Sequence, residues 1–169
     1  MKWDLLDDKL GRTYALIYDV GDEVMENLLA FATQERLAGS SVSGIGALSD
    51  VTLGYFDWDQ KKYVPNSIPE QVELISLLGD ISLDPAGNPA LHIHVVVGKR
   101  DGTAYGGHLI AAHVRPTLEM IITESPEHLQ RKIDPVTGLA TIQGTKFGGC
   151  APPLLASASP QTTLNPKSQ

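Results

Sequence analysis

The sequence has little cysteine and no long apolar run, and each shortage excludes a class of protein. Cys150 is the only cysteine among 169 residues, so no disulfide can form within the chain, as is usual in a reducing cytoplasm. No stretch approaches the roughly 20 apolar residues of a membrane helix. The acidic start, MKWDLLDDKLGR, contains no apolar run of signal-peptide length. The sequence therefore predicts a cytoplasmic protein that has no membrane partner.

Positive charge is also scarce. The chain has 20 acidic and 13 basic residues, which gives a net charge of −7. Proteins that bind nucleic acid through its phosphates usually carry a basic face or tail. Here the basic residues pair only briefly, at Lys61–Lys62 and Lys99–Arg100, a pattern typical of solvated turns. Direct DNA binding by this chain is therefore disfavoured.

The rest of the composition is that of one globular domain. Hydrophobic residues make up 42% and charged residues 20%, and the length is enough to bury a core in a single unit. We predict a domain over residues 1–142 and a C-terminal tail over residues 143–169. The end of that tail, APPLLASASPQTTLNPKSQ, is rich in Pro, Ser and Thr without periodicity, which predicts disorder.

The apolar pattern indicates one helix among many strands. Asp22 and Glu23 favour a helix start, and Gly39 is predicted to end the helix after Leu37. Apolar residues recur at helical spacing between these points: Val24, Leu28, Phe31 and Ala32. Strand-like segments are 13–18, 41–48, 51–58, 72–78 continued by 80–83, 91–98, 103–114 and 117–123. This order predicts an α+β fold, a mostly antiparallel sheet of six to seven strands packed with one main α-helix.

Two histidines share one face of a predicted strand. In residues 91–98 the odd positions are apolar and predict the core side, whereas His92 and His94 lie on the opposite side. Because side chains at i and i+2 of a strand are neighbours, both imidazoles can reach one metal ion. His113 has the parity of the core face, which excludes it from this set.

A third histidine joins them if the next hairpin has the right register. A three-residue loop at 100–102, with Gly102 in the left-handed conformation, places His94 opposite His108. A two-residue loop instead pairs His108 with Val95 and directs it to the core, unless a bulge at Gly106–Gly107 restores the face.

Three imidazoles with an open fourth position are typical of zinc sites. The pattern therefore predicts a divalent metal, zinc by preference, at His92, His94 and His108. The alternative interpretation is a polar, hydrogen-bonded cluster without metal. Glu119 faces away from its apolar neighbours, and it is interpreted as a fourth ligand, as a partner that orients an imidazole, or as an exposed strand carboxylate.

Several segments together resemble a known family. They occur in the order DVGDEVMENLLAFA, VSGIGALSDVTLGYFD, VELISLLGDIS, PALHIHVVVGKRDGTAYGGHLI, VRPTLEMIITE and RKIDPVTGLATI. This order resembles the PPC domain (plants and prokaryotes conserved) over residues 12–142. The resemblance implies a compact antiparallel sheet with one helix, a homotrimer with subunit boundaries near the histidine face, and a cleft where His92, His94 and His108 gather and some members hold a metal. Plant members follow AT-hook segments in nuclear DNA-binding regulators, but this sequence has no AT-hook and no RGRP-like basic core.

Two classes of function follow. The first is a stand-alone, trimeric metal- or ligand-binding module, DNA-binding or regulatory by family resemblance, with a small-molecule ligand at the histidine cleft. The second is a zinc-dependent hydrolase of unknown substrate, in which Glu119 or Glu73 is the general base that activates metal-bound water. A third possibility is that the histidines serve only trimer assembly.

Overall fold

The computed structural model describes residues 1–7, 11–125 and 128–143. Nine strands and one helix lie within these ranges, and no helix among them is long and apolar enough to cross a membrane. In chain order they are β1 (Lys2–Asp7), β2 (Thr13–Tyr18), α1 (Val24–Gln34), β3 (Gly39–Asp57), β4 (Lys62–Ile68), β5 (Val72–Leu83), β6 (Pro89–Gly98), β7 (Ala104–Glu124), β8 (Gln130–Ile133) and β9 (Ala140–Gln143). The predicted tail lies outside the described residues, apart from Gln143.

Helix α1 starts where the sequence predicts and ends earlier. The Glu23 carboxylate accepts the N–H of Glu26 at 2.6 Å, which satisfies a free donor of the first turn. The predicted apolar stripe is buried against the sheet. At the other end Arg36 adopts φ 54° and Leu37 donates its N–H to the Ala32 carbonyl at 2.9 Å. This Schellman arrangement ends the helix at Gln34, with arginine in the position that glycine usually takes.

Four strands of the sheet pair in a closed ring. Strand β3 pairs with β5 and β7, and β6 pairs with the same two strands, all antiparallel. Strands β1 and β2 continue the sheet beyond β7, and β4 pairs with β3. The core is formed by the buried apolar side chains of this sheet and of α1. The ring fixes β6 on both sides, which matters because β6 carries His92 and His94.

The predicted six to seven strands are too few, since the described residues contain nine. Residues 41–48 and 51–58 form one strand, as do 103–114 and 117–123, because register shifts absorb the Gly, Ser and Pro residues that suggest breaks. Strand β4 includes Pro65 because its only partner within the described residues is β3, and an edge strand tolerates a missing N–H. Strands β1, β8 and β9 are additional. The predicted α+β class and the largely antiparallel sheet are confirmed.

The predicted core position of His113 is wrong. The register of β7 against β3 shifts between Leu109 and Ala111. Leu109 and Ala112 are therefore both buried, and His113 points outward. Its Nδ1 lies 3.0 Å from a carboxylate oxygen of Asp50, which raises the pKa of His113. His113 is exposed and is not part of the histidine cluster, so it is not excluded by burial in the core.

Candidate metal centre

The hairpin between β6 and β7 brings the third histidine to the other two. Lys99 donates its N–H to the Thr103 carbonyl at 2.8 Å, and Gly102 has φ 85°. This is the three-residue loop at 100–102, and it pairs His94 with His108. The predicted register is therefore confirmed.

The three imidazoles converge within the reach of one ion. One ring nitrogen from each of His92, His94 and His108 lies within 4.8 Å of the others. The Nε2 atoms of His92 and His94 are 3.2 Å apart. Two nitrogens bound tetrahedrally to one zinc ion at about 2.0–2.1 Å are separated by roughly 3.3 Å, so this spacing suits a shared ion.

Partial desolvation keeps two of the imidazoles neutral near pH 7, although the His94 side chain is exposed. Desolvation lowers the pKa of His108 to about 4, and the neighbouring His92, His94 and Arg131 lower it as well. Desolvation, followed by the charge of His92, also lowers the pKa of His94. Near neutral pH both rings therefore carry the free lone pair that metal binding requires.

His108 has a buried nitrogen without a partner. Its Nδ1 is buried and makes no hydrogen bond within the described residues, and its ring stacks on Tyr63 with 4.5 Å between centroids. Gly54, opposite His108 on β3, makes room for that stack, because a Cβ at Gly54 would come within 2.9 Å of the Tyr63 ring. An orphaned imidazole nitrogen is costly, and three imidazole nitrogens within 4.8 Å of one another are a donor set that fits a metal ion.

A partly buried ion pair, Asp80 with Arg131, lies beside the cluster. Asp80 lies opposite His92 on β5, with its Oδ2 3.5 Å from His92 Nδ1. Its Oδ1 accepts a 2.5 Å bond from Nη2 of Arg131, whose Nε donates to Ser82 Oγ at 2.6 Å and whose Nη1 donates to the Ala140 carbonyl at 2.8 Å. Carboxylates in this position orient metal-binding imidazoles. Sequence reasoning missed both Asp80 and Arg131. Asp80 could have been found by counting residue pairs outward from the loop that joins β5 to β6, which places Asp80 opposite His92.

The two glutamates proposed as ligand or base lie elsewhere. Glu119 is exposed and faces away from Leu118, as predicted, but it lines an apolar groove together with Glu73 and Ile75. Along β7 it is eleven residues from His108, which corresponds to on the order of 30 Å of strand. The structure therefore does not bring either glutamate to the histidines, and the hydrolase alternative gains no base from them.

Comparison with known proteins gives consistent matches. Residues 7–126 match the model of the Plants and Prokaryotes Conserved (PCC) domain. A plant- and prokaryote-conserved (PPC) protein from Pyrococcus horikoshii is 34% identical, with 82% of this chain and 95% of that chain covered and a TM-score of 0.75. A metal-containing protein from Archaeoglobus fulgidus is 31% identical, with 85% and 99% covered and a TM-score of 0.73. A candidate DNA-binding protein from Bacteroides thetaiotaomicron is 29% identical, with 83% and 96% covered and a TM-score of 0.76.

Curated relatives are much longer than this chain. The Bifunctional protein GlmU of Synechococcus sp. (strain JA-3-3Ab) is 32% identical over 145 residues, which are 84% of this chain and 22% of that protein. The chain thus spans less than a quarter of the length of that relative.

Proposed function

The chain belongs to the plants and prokaryotes conserved domain family, and on that premise we propose that it is a metal-binding module whose His92, His94 and His108 hold one divalent ion. The observation that carries the proposal is the convergence of three imidazole nitrogens, one ring having a buried and unpaired Nδ1. Zinc fits this donor set best, and when bound by three imidazoles it keeps a fourth position for water or a ligand. The metal-containing relative from Archaeoglobus fulgidus adds support.

The direct test is the metal content of tag-free protein after zinc loading and dialysis. We expect about one equivalent of zinc per chain, as one three-histidine site binds one ion, and its loss in His92→Ala/His94→Ala. His113→Ala is the matched control, because His113 is exposed and outside the cluster. Wild-type protein that retains no zinc, or a double variant that retains as much as the wild type, would contradict the proposal and leave a polar cluster.

We also propose that the module is a homotrimer. Five exposed apolar side chains line one groove of the sheet: Ile17, Ile45, Ile75, Leu78 and Ile121. Contiguous exposed apolar surface is typical of an interface. A trimer is also what the resemblance to the PPC family implies. Among these side chains Ile45 is 62% exposed and Ile75 is 56% exposed, so a neighbouring subunit would remove substantial apolar surface from water.

Mass in solution by light scattering tests the assembly. The wild type is expected to have three times the chain mass, and Ile75→Lys is expected to dissociate because a charge in an apolar interface is strongly unfavourable. Val136→Lys is the matched control, since Val136 is 65% exposed in the turn between β8 and β9 and lies outside the groove. A monomeric wild type, or an unchanged mass for Ile75→Lys, is the result that speaks against a trimer built on this groove.

The role we propose for the module is regulatory binding rather than direct DNA recognition. One similar structure is named as a candidate DNA-binding protein, but the net charge of −7 opposes contact with phosphates. A regulatory function then acts through a ligand at the histidine cleft or through a partner protein.

A further inference from the structure

A small cavity lies beside the histidine cluster. It has a volume of about 230 Å³, and His92, His108, Tyr63 and Ala90 form part of its wall. Ordinary ligand pockets are roughly 300–1,000 Å³. A ligand of this cavity must therefore be small, and it would have the imidazoles of the cluster within reach.

The other wall of the cavity is the hairpin of β8 and β9, which follows the end of the family match at residue 126. Arg131 on β8 and Ala140 and Thr141 on β9 line the space. The hairpin is fixed to the domain by more than Arg131, because Leu83 donates its N–H to the Leu129 carbonyl at 2.7 Å. The hairpin thus completes this side of the cavity.

The charges at the cavity favour an anion. Arg131 is 6% exposed, and its partner Asp80 balances its charge. The divalent ion of the proposed function would then leave a net charge of about +2 at the cavity. The guanidinium also has N–H donors beyond its three bonds to Ser82, Asp80 and Ala140, in the planar arrangement that suits a carboxylate.

The remaining wall is mostly apolar. Ala90, Leu91, Leu139 and Ala140 supply aliphatic surface, and Thr141 supplies a hydroxyl group. A multiply charged, strongly hydrated anion such as inorganic phosphate would lose water here without enough donors to replace it. A monoanion that carries a short hydrocarbon chain matches both parts of the wall.

We propose that this hairpin-walled cavity binds a small aliphatic carboxylate, with its charged end between the three-histidine ion and Arg131 and its hydrocarbon against the apolar wall. The inference rests on the proposed metal-binding function and names the ligand class of the same site. It also makes Arg131 and the hairpin determinants of ligand specificity.

The test uses the full chain loaded with cobalt(II), whose visible spectrum reports a change of ligand at the ion. Butyrate is titrated at constant ionic strength, with inorganic phosphate and octanoate as comparison anions. Butyrate is expected to shift the spectrum saturably. Phosphate and octanoate are expected to bind more weakly. Phosphate is too strongly hydrated, and the octanoate chain is too long for a cavity of about 230 Å³.

Two variants locate the butyrate. Ala90→Leu fills the cavity without altering its charge and is expected to weaken butyrate at least about tenfold by steric exclusion. Ala86→Leu is the matched control, since Ala86 is exposed in the loop between β5 and β6. Arg131→Lys keeps a charge beside Asp80 and is expected to weaken butyrate about tenfold through the loss of one charge-assisted hydrogen bond. Cobalt content should be unchanged in Ala90→Leu and Ala86→Leu.

The outcomes separate this inference from the proposed function. Protein that binds no cobalt refutes the metal-binding function itself. The cavity is not a carboxylate site if butyrate leaves the spectrum of the cobalt-loaded wild type unchanged. The same conclusion follows if Ala90→Leu binds butyrate as tightly as the wild type does. If Arg131→Lys loses cobalt together with butyrate, Arg131 positions His92 through Asp80, and its assigned contact with the ligand is wrong.

Discussion

The metal-free protein is expected to lose stability in acid because of His108. Burial lowers the pKa of His108 to about 4, from 6.5 for an ordinary histidine. Between these two values the unfolded chain binds a proton at this residue and the folded chain does not. The free energy of unfolding therefore falls as the pH drops through this window, and the loss is complete only below the folded pKa.

The size of the effect follows from the two pKa values. Between about pH 7.5 and pH 4.5, His108 should remove about 2.5 kcal/mol of stability, at about 1.4 kcal/mol for each tenfold difference in proton affinity. The change to test is His108→Phe, which removes the titrating group and keeps an aromatic ring for the stack on Tyr63. Urea unfolding of metal-free wild type and metal-free His108→Phe is measured at several pH values. The quantity to compare is how much the free energy of unfolding of each protein falls with decreasing pH.

His113 serves as the control, because its effect on the free energy of unfolding changes with pH in the opposite direction. Its hydrogen bond to Asp50 raises the pKa of His113, so the stabilisation from His113 is fully present below about 6.5 and is lost as the pH rises through the folded pKa. His113→Asn should therefore lose stability relative to the wild type in acid and not at high pH, by no more than about 1 kcal/mol at this exposed pair. If His108→Phe shows the same acid dependence as the wild type, the argument from burial is wrong.

Two further predictions concern the sheet and DNA. A Cβ at Gly79 would overlap the His92 carbonyl oxygen and lie 2.9 Å from Ile93 Cα. Gly79→Ala should therefore push β5 away from β6, lower stability by about 1–3 kcal/mol or more and reduce zinc content. Thermal melts and zinc assays measure both effects. In the control Gly106→Ala the nearest contact of the new Cβ would be 3.2 Å, so the loss of stability and of zinc should be smaller. Fluorescence anisotropy with labelled duplex DNA should show no saturable binding even at low salt, and an affinity that falls steeply with added salt would contradict this.

The sequence predicted those elements whose burial is periodic. Helix α1 and strands β2 and β6 expose one face and bury the other, so apolar spacing marks them. All six residues of β1 are exposed, so no alternation reveals that strand. Strands β8 and β9 have four residues each, too few for a pattern. The long strand β7 was divided in two because Pro116 suggests a break, which an irregular register absorbs in the structure.

The site was predictable as far as turn chemistry determines register. Turn chemistry at Gly102 allowed two registers for the loop after β6, and the structure has the three-residue loop, which places His108 beside His94. Counting from the turn also applies to the loop before β6, where the Asp84 carboxylate accepts the N–H groups of Ala86 and Asn88 and brings Asp80 opposite His92. Arg131 is different, because its bonds to Asp80 and Ser82 join segments about 50 residues apart, and no local pattern records them.

The proposed metal binding and the expected acid sensitivity arise from one structural feature. Folding buries His108 Nδ1 and leaves it unpaired, which disfavours the metal-free fold. Desolvation of the ring also lowers its pKa, so the ring is protonated only in acid. The same burial leaves the ring neutral near pH 7, so a divalent ion meets no competing proton there. An ion that binds only the folded chain must then stabilise it by an amount that grows with the free ion concentration relative to its Kd. The metal-loaded protein should therefore be the more stable of the two near pH 7. Its stability should fall more steeply in acid than that of the metal-free protein, because the unfolded chain binds protons at three histidines that the ion keeps unprotonated in the fold.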